Sequence, residues 1–223
     1  MALDPESLHD RDWLETKASD AFFEQTRRYP DIAEVVARLR PRRLLDVGCG
    51  SGYLAKLLKE RVSGLVVHGV DISGVALERA RAHVDQVWQV DLDKADLPLP
   101  GEQYDAVTCV EVLEHLYDPD HALREIARVL LPLGRAVVTV PNLAYWRFRL
   151  DLLRGRVPAP AVDRRHLHQF DRRLLAETLA RTGLSLAGMT GHGVRLAFLA
   201  RRRPALFSDI LIATAEKRAP TCA

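Results

Sequence analysis

Three glycines alternate with other residues directly after a short apolar run and an acid, in the sequence Asp46-Val47-Gly48-Cys49-Gly50-Ser51-Gly52. Glycines at this spacing let the chain turn sharply and let a ligand lie against bare backbone, where any Cβ would collide. About twenty residues later a second apolar run ends in Asp71-Ile72, where a carboxylate can bind both hydroxyls of a ribose. The spacing therefore predicts a site for a nucleoside-containing cofactor.

The glycine spacing differs from that of two other nucleotide-binding loops. A dinucleotide fingerprint is G-x-G-x-x-G, and the chain contains no G-x-x-x-x-G-K-[ST] loop for a nucleoside triphosphate. Asp46 would repel a pyrophosphate but could hold a cationic amino-acid group. The run resembles motif I of class I S-adenosylmethionine-dependent methyltransferases. This resemblance implies S-adenosyl-L-methionine as the cofactor, bound by Asp46, Gly48, Gly50, Gly52, Asp71 and Ile72.

Two later strand ends carry the other cofactor contacts that this resemblance implies. Asp91-Leu92 follows an apolar run and resembles motif III, in which the acid accepts a hydrogen bond from the adenine amino group. A turn cap is the alternative role for Asp91. The segment that ends in Val110-Glu111 resembles motif IV, which implies that these two residues lie beside the methionine portion of the cofactor.

An E-x-x-E-H pattern at Glu111, Glu114 and His115 could do chemistry of its own. These residues share one face if the segment is helical, and they are costly to bury unless they are paired or hold a cation. His166 or His168 could complete a mixed oxygen and nitrogen site for Mg²⁺ or another divalent metal. We predict Glu111, Glu114, His115 and His168 as the metal ligands. Without a metal, His115, His166 or His168 could act as the catalytic base, and a purely structural role is the third possibility.

The E-x-x-E-H pattern together with His168-Gln169-Phe170 resembles ubiquinone-pathway O-methyltransferases and small-RNA 2′-O-methyltransferases. The R-H-x-D-H-x-F pattern of the RNA family is only partly met, because Arg165 and Leu167 replace its first histidine and its acid. Residues 140–150 resemble the MetW proteins, whose role looks like partner regulation as much as catalysis. These resemblances imply O-methylation of a small hydroxylated metabolite by direct SN2 transfer. The alternatives are a cofactor-binding regulator and an RNA 2′-O-methyltransferase.

Length and composition limit the classes of protein to which the chain can belong. Its 223 residues fit one α/β domain with an insertion. A net charge of +2, from 32 basic and 30 acidic residues, argues against RNA and favours a small-molecule acceptor. Three cysteines without paired spacing and no long apolar span predict a cytoplasmic protein without membrane insertion. The sequence indicates no oligomeric state.

Strand and helix patterns alternate from residue 43 onward. Strands are predicted over 44–47, 65–70, 86–90, 104–110, 135–140, 185–189 and 209–214. Helices are predicted over 31–39, 53–61, 74–83, 121–130 and 171–182, with Asp31 and Asp171 as N-caps and Gly183 as a helix stop. This order predicts an α/β, Rossmann-like doubly wound sheet of about seven mostly parallel strands. The last two strands are expected to form an antiparallel hairpin across a loop at 190–208.

We expect a single methyltransferase domain over 1–223 with four parts. These are N-terminal helices (1–41), a cofactor-binding core (42–140), a lid-like insertion (141–170) and a C-terminal helix and hairpin (171–223). The insertion is long for a compact domain and leaves the carboxyl edge of the sheet, where ligands bind in open α/β folds. Such a connection is typical of a lid or a substrate wall. The first N-terminal helix could pack on the core or cover the cofactor site.

Overall fold

A computed structural model describes residues 5–15, 27–193 and 197–218 of the chain. The described residues form one seven-stranded sheet in the order β3-β2-β1-β4-β5-β7-β6. The first five strands run parallel, and β7 runs antiparallel to both of its neighbours. The predicted Rossmann-like sheet and its antiparallel C-terminal pair are therefore confirmed. The strands are β1 (Arg43–Val47), β2 (Val66–Asp71), β3 (Gln86–Gln89), β4 (Tyr104–Val110), β5 (Leu130–Pro141), β6 (Leu184–His192) and β7 (Ile210–Lys217).

Helices cover both faces of the sheet, because strands that are apolar on both sides must be shielded from water on both sides. One face packs against buried side chains such as Ile32, Leu54 and Leu77, and the other against Leu123 and Leu179. The helices are α1 (Pro5–Glu15), α2 (Arg28–Arg38), α3 (Tyr53–Lys59), α4 (Gly74–Ala80), α5 (Pro119–Val129), α6 (Trp146–Leu153), α7 (Ala159–Val162), α8 (Arg172–Arg181), α9 (Ala197–Arg202) and α10 (Pro204–Phe207).

Two predicted helix starts were wrong. Helix α2 begins at Arg28, so Asp31 lies in its first turn and not at its N-cap. Helix α5 begins at Pro119, before the predicted start, because the Asp118 carboxylate accepts a hydrogen bond from the His121 N–H and a proline suits the first helical position.

The two residues predicted to mark the start and the end of the last long helix are both confirmed. The Asp171 carboxylate accepts a hydrogen bond from the Leu174 N–H at 2.8 Å and so caps α8. Gly183 has a φ of +87°, a left-handed conformation that ends the helix and favours glycine.

The prediction of a loop over 190–208 was wrong, because most of these residues lie in a strand or in helices. Strand β6 continues to His192, and helices α9 and α10 follow. Helix α9 packs closely against the end of β6. A Cβ on Gly193 would lie only 2.7 Å from the Ala200 Cβ, so the glycine makes this approach possible. Strand β5 is also longer than predicted, because Leu130 already pairs with Tyr104.

The insertion over 141–170 is fixed at its ends and lightly packed in its middle. Helices α6 and α7, which occupy the middle, contain no buried residue. At the ends, Asn142 forms a parallel bridge with Phe170, and the Leu143 N–H donates to the Phe170 carbonyl at 2.9 Å. Within the described ranges, no helix has the length and apolar character needed to cross a membrane.

Candidate functional site

The glycine loop follows β1 at the carboxyl edge of the sheet. Gly48, Gly50 and Gly52 have φ values of +71°, +53° and +76°, a left-handed conformation in which a Cβ is strained. The N–H groups of Gly48 and Cys49 donate to the Val70 carbonyl at 2.8 and 3.0 Å, which ties the loop to β2. The loop therefore places three left-handed glycines at the edge where open α/β folds bind ligands.

Asp71 ends β2 with its carboxylate turned toward this loop. Its Oδ2 accepts a hydrogen bond from the Gly50 N–H and its Oδ1 from the Ser73 N–H, both at 2.9 Å. These two bonds fix the orientation of the carboxylate at the end of the strand. Beside it, the Ile72 carbonyl accepts a hydrogen bond from the Gln89 side chain at 3.0 Å. This geometry supports the predicted ribose-binding role of Asp71.

Replacement of Asp71 by alanine is expected to weaken the binding of S-adenosylhomocysteine, the product form of the predicted cofactor. Hydrogen bonds to a charged group contribute about 1.5–3 kcal/mol, so the affinity should fall by about one to two decades. Calorimetry on the folded variant measures the change. Asp85→Ala is the matched control, because the Asp85 carboxylate accepts a hydrogen bond from Val67 near the opposite end of β2. Unchanged affinity in Asp71→Ala would remove Asp71 from the cofactor site.

Asp46 lies inside β1, just before the glycine loop. Its side chain is buried and accepts a hydrogen bond from the Thr108 hydroxyl on β4 at 2.6 Å. Burial raises the pKa of Asp46 to about 7, and the nearby negative charge of Asp71 adds to this rise. A cationic group that approached Asp46 would favour its ionised form, which suits the predicted contact with the amino group of the cofactor.

Helix α1 lies over the glycine loop. Two ring carbons of Trp13 would be 2.7 and 2.8 Å from a Cβ on Gly50, and Trp13 is itself buried. The Asp10 carboxylate accepts hydrogen bonds from the Ser73 hydroxyl at 2.5 Å and from the Val75 N–H at 3.3 Å. The sequence left open whether this helix packs on the core or covers the cofactor site. These contacts support the second role. Sequence reasoning missed Trp13 and Asp10 because they lie far along the chain from the motifs that they contact.

Asp91 adopts the turn-capping conformation that was its alternative role. Its carboxylate accepts a hydrogen bond from the Asp93 N–H at 3.1 Å and lies 2.7 Å from the Lys94 ammonium. The neighbouring Leu92 is buried in the core, and so is Val110 at the end of β4. The roles of Asp91, Leu92 and Val110 toward the cofactor stay predictions.

Glu111 turns the chain at the end of β4 with a φ of +55°. Its N–H donates to the Thr139 carbonyl at 3.2 Å, and the Thr139 hydroxyl donates to its carboxylate at 3.2 Å. The Arg28 guanidinium lies 3.6 Å from the same carboxylate. Burial raises the pKa of Glu111, and Arg28 opposes this rise. Residues 111–115 do not form the single helix that would place Glu111, Glu114 and His115 on one face. Only Leu113–His115 form a short 3-10 helix.

Glu114, His115 and His166 come together beside this turn, with one ligand atom from each lying within 4.8 Å of the other two. Both Glu114 carboxylate oxygens are buried and have no hydrogen-bond partner in the described part of the chain. Burial, with the charge of Glu111, raises the pKa of Glu114 well above its usual range. We call Glu114, His115 and His166 the carboxylate–imidazole cluster.

Backbone carbonyls fix both imidazole rings of the cluster. The His115 Nδ1 lies 3.0 Å from the Arg165 carbonyl, and the His166 Nδ1 lies 3.0 Å from the Pro160 carbonyl. Because a carbonyl only accepts, each Nδ1 must donate, which leaves a lone pair on Nε2 in the neutral ring. Burial lowers the pKa of His115 to about 4 and so keeps this ring neutral at physiological pH.

The cluster differs from the predicted metal set of Glu111, Glu114, His115 and His168. Glu111 faces Arg28 and Thr139, and the His168 Nε2 lies 3.4 Å from the Tyr117 carbonyl. The structure groups His166 with Glu114 and His115 in their place. Spacing could not distinguish the two histidines, because a local turn decides which ring faces inward: the His166 N–H donates to the Asp163 carbonyl at 3.0 Å.

The cluster fits a divalent cation on its own donor atoms. Two imidazole nitrogens and one carboxylate form a ligand set that suits first-row divalent metals. Backbone carbonyls that hold the opposite ring nitrogen are the usual outer contacts of metal-bound histidines. The orphaned Glu114 oxygens also need a partner, since buried polar groups are rarely left unsatisfied.

Comparisons with known proteins find similarity to methyltransferases. The family model described as "Methyltransferase domain" matches residues 22–187. The chain is 32% identical over 197 residues to "Probable S-adenosylmethionine-dependent methyltransferase Rv3030" of Mycobacterium tuberculosis, covering 87% of this chain and 68% of that protein. It is 38% identical over 120 residues to "Ubiquinone biosynthesis O-methyltransferase" of Alkalilimnicola ehrlichii, covering 50% of this chain and 46% of that protein. The match therefore spans about half the length of that relative.

Among solved structures, the chain resembles the methyltransferase that was determined in complex with the Trm112 methyltransferase activator of Haloferax volcanii. The TM-score is 0.68 at 21% identity, and the match covers 98% of this chain and 100% of that chain. A likeness at this identity shows a shared fold.

Proposed function

Because the chain belongs to the class I S-adenosylmethionine-dependent methyltransferases, we propose that it methylates a hydroxyl oxygen of a small metabolite. The carboxylate–imidazole cluster is the observation that carries this proposal. It follows β4, beside Glu111, which is the residue expected next to the methionine portion of the cofactor. Buried groups that can stabilise an oxyanion or hold a cation suit an oxygen acceptor.

The reaction needs little from the protein beyond alignment and proton removal. The sulfonium already activates the methyl group, and the acceptor oxygen attacks the methyl carbon as the carbon–sulfur bond breaks. The electron pair of that bond stays on sulfur, and the acceptor loses its proton. Alignment in a near-attack geometry can supply ~7–11 kcal/mol, and a positioned base contributes about 10²–10⁴-fold.

The residues near β1 and β2 would hold the cofactor. Asp71 would accept the ribose hydroxyls, Asp46 would bind the cationic amino group, and the glycine loop would lie along the cofactor. The Trp13 ring packs on Gly50 and would keep water from this part of the site. The reactive centre would then face Glu111 and the cluster behind it.

Glu114, His115 and His166 would hold a divalent cation through one carboxylate and two Nε2 atoms. Such a cation would lower the pKa of the acceptor hydroxyl and fix the acceptor oxygen. The Thr139 hydroxyl and Arg28 hold Glu111 in place and partly compensate its buried charge.

The name of the Alkalilimnicola ehrlichii relative supports an oxygen acceptor, since that protein is called an O-methyltransferase of ubiquinone biosynthesis. A screen of methyl transfer from radiolabelled S-adenosylmethionine to phenols, sugars, hydroxy acids and short RNA tests the proposal. We expect label in a small hydroxylated compound, with mass spectrometry placing the methyl group on oxygen. Label in RNA or on carbon would contradict the proposal. Cofactor binding without any transfer, together with a co-purified partner, would favour the regulator.

We also propose that the middle of the insertion acts as a lid. Because α6 and α7 have no buried residue, their amide hydrogens should exchange faster than those of β4 without ligand. Exchange should slow when cofactor and acceptor bind. The anchored ends at Asn142 and Phe170 should stay protected throughout. Hydrogen exchange read by mass spectrometry measures this, and equal protection of α6 and β4 without ligand would make the insertion fixed structure.

A further inference from the structure

His192 ends β6 at the same edge of the sheet as the carboxylate–imidazole cluster. The strand register pairs His192 with Ile210 and pairs Ile210 with Pro141, the last residue of β5. The carboxyl ends of β4 and β5 lie at this edge. His192 therefore stands on the side of β4 that lies away from the glycine loop, the side left for an acceptor.

A carboxylate on α2 holds the ring of His192. The His192 Nδ1 lies 2.8 Å from the Asp31 carboxylate, which Arg201 also contacts at 3.2 Å. Because a carboxylate accepts, Nδ1 donates, and the neutral ring has its lone pair on Nε2. The side chain is only 8% exposed, and its Nε2 is buried without a hydrogen-bond partner among the described residues. A buried acceptor without a partner is rare, and a donor from a bound ligand would satisfy it.

Two further observations connect the neighbours of His192 to the motif IV turn. Arg28 lies one helical turn before Asp31 on α2, so the two share a face, and Arg28 contacts Glu111 at 3.6 Å. The Arg28 Nε is also buried without a partner in the described ranges. On the other side, Asp209 precedes β7 and lies close enough to Glu111 for its charge to raise the pKa of Glu111. The helix that holds His192 (α2) and the strand that pairs with β6 (β7) therefore both begin near the turn at Glu111.

The ring of His192 has a better partner for accepting a proton than the rings of the three histidines singled out by sequence. Carbonyls fix the rings of His115 and His166, which belong to the cluster, and the His168 Nε2 lies 3.4 Å from the Tyr117 carbonyl. A carboxylate on Nδ1 orients the ring and stabilises the imidazolium that forms on proton uptake, which a carbonyl does less well.

We propose that His192 takes the proton of the acceptor hydroxyl and that Asp31 is its positioning residue. The acceptor O–H bond breaks and its proton moves to the His192 Nε2. The oxygen bonds to the methyl carbon while the carbon–sulfur electron pair stays on sulfur, and the imidazolium later releases its proton to water. The acceptor is then a neutral alcohol or phenol, because a carboxylate has no proton to give at neutral pH. This inference rests on the proposed function.

The test combines turnover with a spectroscopic reading of the ring. In His192→Gln, kcat should fall by about 10²–10⁴-fold while KM for the acceptor changes little. Asp31→Asn should lose activity in the same way, because its amide NH₂ donates to Nδ1 and forces the ring proton onto Nε2. Asp31→Glu should recover part of kcat. His121→Gln, a change at a partly exposed histidine beside Asp96, is the control.

Nitrogen NMR of histidine-labelled protein with bound S-adenosylhomocysteine gives the second reading. The His192 Nε2 signal, identified by its loss in His192→Gln, should lack a proton and should shift on addition of phenol but not of benzoate. A protonated Nε2, no shift with phenol, or full kcat in a folded His192→Gln would overturn the inference alone. If the wild-type protein methylates no hydroxyl compound, the proposed function fails and the inference fails with it.

Discussion

Methyl transfer is expected to disappear when the protein is treated with EDTA and to return when Mg²⁺, Mn²⁺ or Co²⁺ is added. The reason is the carboxylate–imidazole cluster, in which a buried carboxylate that has no hydrogen-bond partner among the described residues meets two rings held at Nδ1 by backbone carbonyls. Glu114→Gln keeps the shape of the side chain but cannot ionise to bind a cation, so turnover should fall at least about a hundredfold. Initial rates of methyl transfer measure both effects.

Binding of S-adenosylhomocysteine is the matched readout for this variant. Because Asp46 and Asp71 lie on β1 and β2, away from the cluster, affinity in Glu114→Gln should stay within a few-fold of wild type. The pair His166→Ala and His168→Ala separates the observed cluster from the set predicted from sequence. The structure predicts the larger loss of turnover for His166→Ala. Full activity of wild-type protein in excess EDTA would show that the cluster works without a metal.

Asp46→Asn is expected to stabilise the cofactor-free protein at pH 8 and to weaken cofactor binding. Burial raises the pKa of Asp46 from 3.8 to about 7, so the folded state binds more protons than the unfolded state between these values. Stability from this group is therefore lost as the pH rises from about 4 to about 7. Asparagine stays neutral at every pH, so the Asp46→Asn protein does not lose stability in this range. The gain at pH 8 should be on the order of 2–4 kcal/mol and should shrink toward pH 5.

Denaturant unfolding at pH 5 and pH 8 measures this difference, and Asp85→Asn is the control of opposite sign. Although partial burial opposes it, hydrogen bonds from Val67 and Lys59 lower the pKa of Asp85, so its carboxylate stabilises the fold at neutral pH. Asp85→Asn should therefore lose stability at pH 8. Equal stability of Asp46→Asn and wild type at both pH values would contradict the buried, proton-binding state of Asp46.

Much of the fold followed from local patterns in the sequence. Apolar runs that end in acids or glycines identified the parallel strands, and the three alternating glycines identified the turn after β1. Asp171 and Gly183 gave the ends of α8 because capping depends on residues within one turn. The start of α2 was missed because its N-cap, Arg27, makes no side-chain capping bond, so the sequence gives no cap signal there.

Contacts between residues far apart in the chain could not be read from spacing. His192 and Asp31 lie 161 residues apart, and the sheet order that joins them is a tertiary property. The same holds for Trp13 on Gly50, which depends on how α1 crosses the loop. His166 joins Glu114 because the chain turns at Asp163, a detail that a histidine pattern does not contain.

A crystal structure with bound S-adenosylhomocysteine and Mn²⁺ would show both proposed binding sites at once. We expect the ribose hydroxyls on Asp71, the amino group near Asp46, and the sulfur atom facing the turn at Glu111. We also expect an anomalous peak for Mn²⁺ between Glu114, His115 and His166. A sulfur atom turned away from these residues, or Mn²⁺ bound only elsewhere, would contradict the proposed sites.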